Sequence, residues 1–182
     1  MALPFKITLL LACTLLAACR SDPIQFHTLT PAQPGGAHGG ADVVIEGLSV
    51  PPQVDRPQMV IRQGNSGLAI LETQWWGASL ADELRSALTD QLSHAGGRRK
   101  ASVRLEVQRF DSIPGQYGLI DVKWRLRAAD ASELLTCRST LQTPAGPSID
   151  DVVSAQQNNV KRLANLISRA ASGDQSSCPS AQ

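Results

Sequence analysis

The chain has 182 residues, 42% hydrophobic and 18% charged, with 17 Lys and Arg against 16 Asp and Glu and a formal net charge of +1. Near-neutrality gives no global attraction to nucleic acid or anionic lipid, and an aromatic content of 4% is too sparse for a base-stacking surface. No apolar run after Cys19 is long enough to cross a bilayer as a helix, so the composition suits one domain with a real core.

Lys6 gives a short positive start, and Ile7 to Ala18 an apolar run too short for a permanent bilayer helix but suited to a secretory signal. The run ends in Leu16-Ala17-Ala18-Cys19, which resembles a lipobox. That resemblance implies cleavage before Cys19, a diacylglycerol thioether on its sulfur and acylation of the new amine. The alternative is an ordinary secretory signal with an incidental cysteine. One acyl chain binds a membrane marginally, whereas two or three hold stably, at roughly 0.8 kcal/mol per buried methylene. Removing residues 1–18 leaves 182 − 18 = 164 residues; Lys6 goes with them, so 17 − 1 = 16 bases remain against 16 acids. Arg20, not aspartate, follows Cys19. By resemblance to lipoprotein sorting signals, that directs the anchor to the outer membrane, facing the periplasm.

Ile24 to Leu29 alternates apolar and polar residues, as a short strand does. Residues 31–40 are rich in Gly and Pro and have nothing to bury, so residues 19–42 read as a lipidated start, a short strand and a linker. The short strand then pairs with a partner distant in sequence. Val43 to Val50 is nearly continuous in apolar residues, which predicts a well-covered strand, and Pro51-Pro52 stops it. Gln58 to Arg62 and Leu68 to Glu72 predict two strands joined by a turn at Gly64-Asn65-Ser66-Gly67.

Ser79 is a suitable N-cap for a first helix, with Asp82 three residues on. Leu80, Leu84, Leu88 and Leu92 recur every four residues, flanked by Ala81 and Ala87, while Asp82, Glu83, Arg85, Asp90 and Gln91 avoid that stripe. Gly96-Gly97 ends the helix, and Arg98-Arg99-Lys100 reads as a solvated basic loop or a contact with anionic head groups. Three alternating strands follow, around Val103-Leu105-Val107, Ile120-Val122-Trp124-Leu126 and Leu135-Cys137-Leu141, with turns at Pro114-Gly115 and 129–132. Ser148 and Asp151 open a last helix whose apolar stripe runs from Val152 to Ile167. The polar stretch Gln156-Gln157-Asn158-Asn159 breaks that stripe and predicts partial cover. The expected fold is α/β (α+β) in two layers, a mostly antiparallel sheet with two helices packed on one face. It spans 43–172, with 173–182 as a flexible tail.

No phosphate-binding loop, serine elbow or metal-ligand spacing is present; His27, His38 and His94 are scattered. Asp82-Glu83 and Asp150-Asp151 stand at helix starts, where the helix dipole favours negative charge. The chain is therefore expected to hold no catalytic or metal residues and no cofactor. With Cys13 removed and Cys19 lipidated, Cys137 and Cys178 remain as an even pair in an oxidising compartment, either a disulfide or two free thiols. Trp75-Trp76 is the most unusual local feature. Adjacent residues on an extended segment point apart, so one Trp packs in the core and the other is half-exposed or anchors a protein contact.

Several motifs in order point to a family. They are Phe26-His27-Thr28-Leu29; Leu48-Ser49-Val50-Pro51 with Arg56-Pro57 and Met59-Val60; Trp76-Gly77-Ala78-Ser79-Leu80 with Leu84; Arg109-Phe110-Asp111; and Trp124. In order and spacing the chain resembles the PqiC/YmbA family of ABC-type transport auxiliary lipoproteins, from the lipobox to about Ser168. It departs in having Ser79 where the family has proline and Ile61-Arg62 after Met59-Val60. The resemblance implies a periplasmic, non-enzymatic lipoprotein that works with an MCE-domain protein and its transport complex to move lipid between inner and outer membranes. A homo-oligomer is compatible with it. The alternatives are a carrier that binds lipid or another small apolar ligand itself, and an envelope scaffold without a transport role.

Overall fold

A computed structural model describes residues 22–32, 41–93, 99–128, 134–173 and 177–180. In chain order these form β1 (Gln25–His27), β2 (Ala41–Ser49), β3 (Gln58–Gln63), β4 (Gly67–Trp76), α1 (Leu80–Ser93), β5 (Arg99–Ile113), β6 (Tyr117–Ala128), β7 (Leu135–Pro144) and α2 (Ile149–Ser172). The expected Cys19 anchor with Arg20, the Gly-rich stretch 33–40, His38, His94, Gly96-Gly97, Arg98 and the turn at 129–132 lie outside the described residues.

The fold is α+β; the described residues form two helices, and their strands divide into two mixed sheets, β2–β5–β6–β7 and β1–β4–β3. In the larger sheet β5, β6 and β7 are antiparallel, with Val103 opposite Leu126, Leu105 opposite Trp124, and Trp124 opposite Cys137. The period of two therefore gathers Val103, Leu105, Ile120, Val122, Trp124, Leu126, Cys137 and Leu141 on one buried face. Both helices pack there, α2 against β6 and β7 and α1 against β2. Trp124 donates its indole N–H to Ser139 Oγ at 3.0 Å, so the largest core side chain leaves no buried donor unmet.

The α1 stripe behaves as its spacing predicts: Leu80, Leu84, Leu88 and Leu92 are all buried. Each contributes about 1.5–3 kcal/mol by leaving water. Ser79 Oγ accepts from the Asp82 N–H at 3.2 Å and starts the helix. In the smaller sheet, β3 and β4 form the expected hairpin, turned by Gly64 at φ +60°, a conformation that glycine adopts without a Cβ clash. β1 pairs in parallel with β4, Phe26 beside Trp75, so the first strand does find a partner distant in sequence.

Four expectations change. β2 is an edge strand beside β5, and Val44 on its open face is 61% exposed, so its apolar run is not covered on both sides. β4 continues past Glu72 to Trp76, because pairing with β1 extends it. Arg99 and Lys100 open β5, opposite Ala41 and Asp42, instead of forming a loop. Two residues of the polar break in α2, Gln156 and Asn159, are buried. Gln156 Nε2 donates to the Asp111 carbonyl at 2.8 Å, and Asn159 Nδ2 to the Gly118 carbonyl at 2.9 Å. Thr143 Oγ1 donates to Asn159 Oδ1 at 2.7 Å. Gly118 makes room for this contact, since a Cβ there would come within 3.0 Å of the Gln156 amide carbon. The amides thus pin α2 to the end of the β5–β6 hairpin, where an apolar side chain would leave carbonyls unmet.

Candidate functional site

The face of the larger sheet opposite the helices is charged. Alternation sends Arg104 and Glu106 of β5, Lys123, Arg125 and Arg127 of β6, and Arg138 of β7 outward, all exposed. Arg104 stands directly opposite Arg125 in the ladder, an arrangement that costs stability for like charges. Glu46, at the irregularity in β2 between Ile45 and Gly47, places a carboxylate 3.7 Å from Arg104. Glu106 lies opposite Lys123. A shallow groove of about 570 Å³ runs over Arg104, Glu106, Lys123, Arg125, Leu134 and Thr136. A second, of about 410 Å³, adds Glu46, Ser102 and Arg127. Basic side chains outnumber acidic ones along both grooves, and both grooves are open and do not enclose a cargo.

At the hairpin end of the same sheet the carboxylates are buried and each is paired with arginines that reach solvent. Arg138 donates to both oxygens of Asp121, at 2.9 and 2.6 Å, and Thr140 Oγ1 adds a third bond at 3.2 Å. The Arg138 hydrogen bond holds the Asp121 carboxyl below the usual carboxylate range, against the opposing effect of burial. Arg62 of β3 donates to Asp111 Oδ1 through Nε at 3.1 Å and Nη2 at 2.9 Å, and Arg109 meets the other oxygen. Arg62 thereby ties the smaller sheet to the larger one. Asp111 and Asp121 are structural acids on strands whose alternation reads as solvated; their signal in the sequence is the set of arginines placed to meet them.

The paired carboxylates at helix starts serve the backbone. Ser148 and Asp151 form a capping box, and the Ser148 side chain, then its backbone N–H, lowers the Asp151 carboxyl. Glu83, though off the apolar stripe, is buried. Its Oε2 accepts from Thr28 Oγ1 at 2.8 Å and from the Leu29 N–H at 2.9 Å. Gln91 is buried as well. His27 Nε2 lies 2.7 Å from Gln74 Oε1, and its Nδ1 lies 3.5 Å from Asp150. Among the described residues, no three His, Cys, Asp or Glu side chains gather as a metal site.

The tryptophans separate as adjacent strand residues must. Trp76 is 2% exposed and packs edge-on against Phe110, with ring centroids 6.4 Å apart. It is a core residue and has no surface to offer, which removes it as a partner contact. Trp75 is half-buried on the opposite face, edge-on to Phe26 at 6.3 Å, and its indole N–H donates to the Glu72 carbonyl at 2.9 Å. Cys137 and Cys178 are joined in the structure, with Cα atoms 5.6 Å apart, which brings residues 177–180 of the tail against β7.

Comparison with known proteins gives three findings. The sequence profile described as ABC-type transport auxiliary lipoprotein component matches residues 27–168. A crystal structure of an uncharacterized protein is similar at a TM-score of 0.67 and 17% identity, covering 82% of this chain and 99% of that one. A Xanthomonas campestris protein of the DUF330 family is similar at a TM-score of 0.61 and 17% identity, covering 78% of this chain and 90% of that one. At these identities the two likenesses are of fold. No functionally curated protein matches the chain.

Proposed function

The chain belongs to the family of ABC-type transport auxiliary lipoprotein components, and from that premise we propose that it is a lipid-anchored, non-enzymatic part of an MCE-type lipid transport system, tying the periplasmic machinery to the outer membrane. The profile match carries the reading, because it runs from the last residue of β1 through most of α2. Cys19 supplies the anchor, and residues 173–182 follow the domain as a tail held through Cys178.

An exposed basic face supports a docking role. The exposed bases Arg104, Lys123, Arg125 and Arg127 project from one sheet face, with Arg104 opposite Arg125 in the ladder against their mutual repulsion. Such a face suits an acidic surface of the MCE-domain partner, to which it contributes steering and specificity. A lipid carrier needs an enclosed, mostly apolar pocket, and the grooves here are open and lined by charged side chains.

The test is capture of the acylated protein from envelope extracts, followed by direct binding to the MCE-domain protein identified. Arg125→Glu with Arg127→Glu should weaken that binding at least tenfold, and the wild-type affinity should fall as salt rises. Cys19→Ser should leave the chain uncleaved or soluble. Recovery of stoichiometric lipid from the purified chain, with no MCE-domain partner, would select the carrier instead.

A further inference from the structure

The parallel pairing of β1 with β4 sorts their side chains onto two faces. Gln25, His27 and Gln74 hydrogen-bond to one another on the inner face, at 3.3 Å for Gln74 Nε2 to Gln25 Oε1 and 2.7 Å for His27 to Gln74. The residues between them point the other way. Phe26 is 67% exposed, Ile24 two residues before it is 46% exposed, and Phe26 leans edge-on against half-buried Trp75. The chain holds 3 tryptophans, and the other two, Trp76 and Trp124, are buried in the core.

We infer that the ridge of Ile24, Phe26 and Trp75 seats in the headgroup–acyl boundary of the bilayer that holds Cys19. The inference rests on the proposed lipidation of Cys19. Tether length carries it. From Cys19 to Ile24 is five residues, and five fully extended residues span at most roughly 18 Å. β1 is therefore the part of the fold that the anchor holds nearest the bilayer, and Ile24 and Phe26, two of the exposed large apolar side chains, lie at and just before it. Aromatic side chains favour that boundary, and a surface-bound apolar face enters it by roughly 5–10 Å. The Trp75 indole N–H is already satisfied by Glu72, so its ring enters without an unmet donor. The acyl chains supply the attachment, and the ridge fixes how the domain stands on it.

The test reads Trp75 fluorescence in the mature, lipid-bearing full chain. The protein is placed in zwitterionic phosphatidylcholine vesicles, with or without bromine on the acyl chains, so that basic side chains gain nothing from lipid charge. Flotation and the mass of the Cys19 peptide report the anchor separately. Brominated lipid should quench roughly a third of the emission, the share of one tryptophan in three, and Trp75→Phe should abolish that quenching while flotation persists. A chain that floats with lipid on Cys19 but shows no Trp75 quenching overturns the ridge and keeps the anchor. Shielding of Trp75 from acrylamide only when a protein partner is added also overturns it. A chain without lipid on Cys19 overturns both readings.

Discussion

Gln156→Leu tests whether the polar break in α2 is an internal joint. The substitution keeps the side chain's bulk in a fully buried position and deletes its amide. Gln156 donates to the Asp111 carbonyl at 2.8 Å and to Ser112 Oγ at 3.3 Å, and accepts from Asn159 Nδ2 at 3.2 Å. The Ser112 hydroxyl can rotate and Asn159 keeps the Gly118 carbonyl, so the principal loss is the Asp111 acceptor. Stranding one buried acceptor costs about 1–3 kcal/mol, and each lost neutral bond adds about 0.5–1.5 kcal/mol. A total of about 2–4 kcal/mol follows, or roughly 5–15 °C in Tm for a domain of this size. Urea denaturation should show a lower midpoint at unchanged slope. Asn159→Leu should fall short of additivity with it, because the two amides share one network. A Gln156→Leu protein as stable as the wild type would mean that α2 does not bear on the β5–β6 hairpin through its amides.

Three other outcomes follow from single contacts. Thiol labelling of the denatured, unreduced mature protein should find neither Cys137 nor Cys178 free, and Cys178→Ser should cost at most about 4 kcal/mol for a closed loop of this length. Trp76→Ala should cost about 3–5 kcal/mol on thermal unfolding, whereas Trp75→Ala should stay within about 1 kcal/mol, since only Trp76 lies in the core. The depressed Asp121 carboxyl stabilises the fold above its ordinary titration range, and that stabilisation is lost as pH falls through its lowered value. Arg138→Gln should therefore be less stable than wild type at about pH 6, with the gap closing below about pH 4 as the carboxylate protonates in both.

What could be read without the structure was what hydropathy alone determines. The β5, β6 and β7 alternation and the four α1 leucines placed the main sheet and the helix on it, because each apolar residue there goes where its period points. Gln156, Asn159, Glu83 and Asp121 were not legible, since hydropathy scores a side chain without its partner. Each of these is buried against a donor or acceptor from a remote strand, turn or strand end. The division into two sheets was hidden for a related reason. Parallel neighbours such as β2 and β5 are joined by a long crossover, and no local turn signals their pairing. Of the candidate surface, Trp75 and Trp76 could be told apart in kind but not in number, since the face each takes depends on β1.

With the proposed anchor at Cys19, the Glu83 contact gives the tether a load path. Tension on an anchored Cys19 enters the fold at Gln25 and runs along β1, whose pairing with β4 resists in shear over only three residues. The next grips are stronger. The His27 carbonyl accepts from the Gly77 N–H, the Thr28 carbonyl from Gln157 Nε2 of α2, and the Thr28 hydroxyl and Leu29 amide both donate to Glu83 of α1. Bonds to a charged acceptor contribute about 1.5–3 kcal/mol each. A pull toward the membrane is thus handed from an edge strand to both helices within five residues. The domain meets such a force through its core instead of peeling from its first strand.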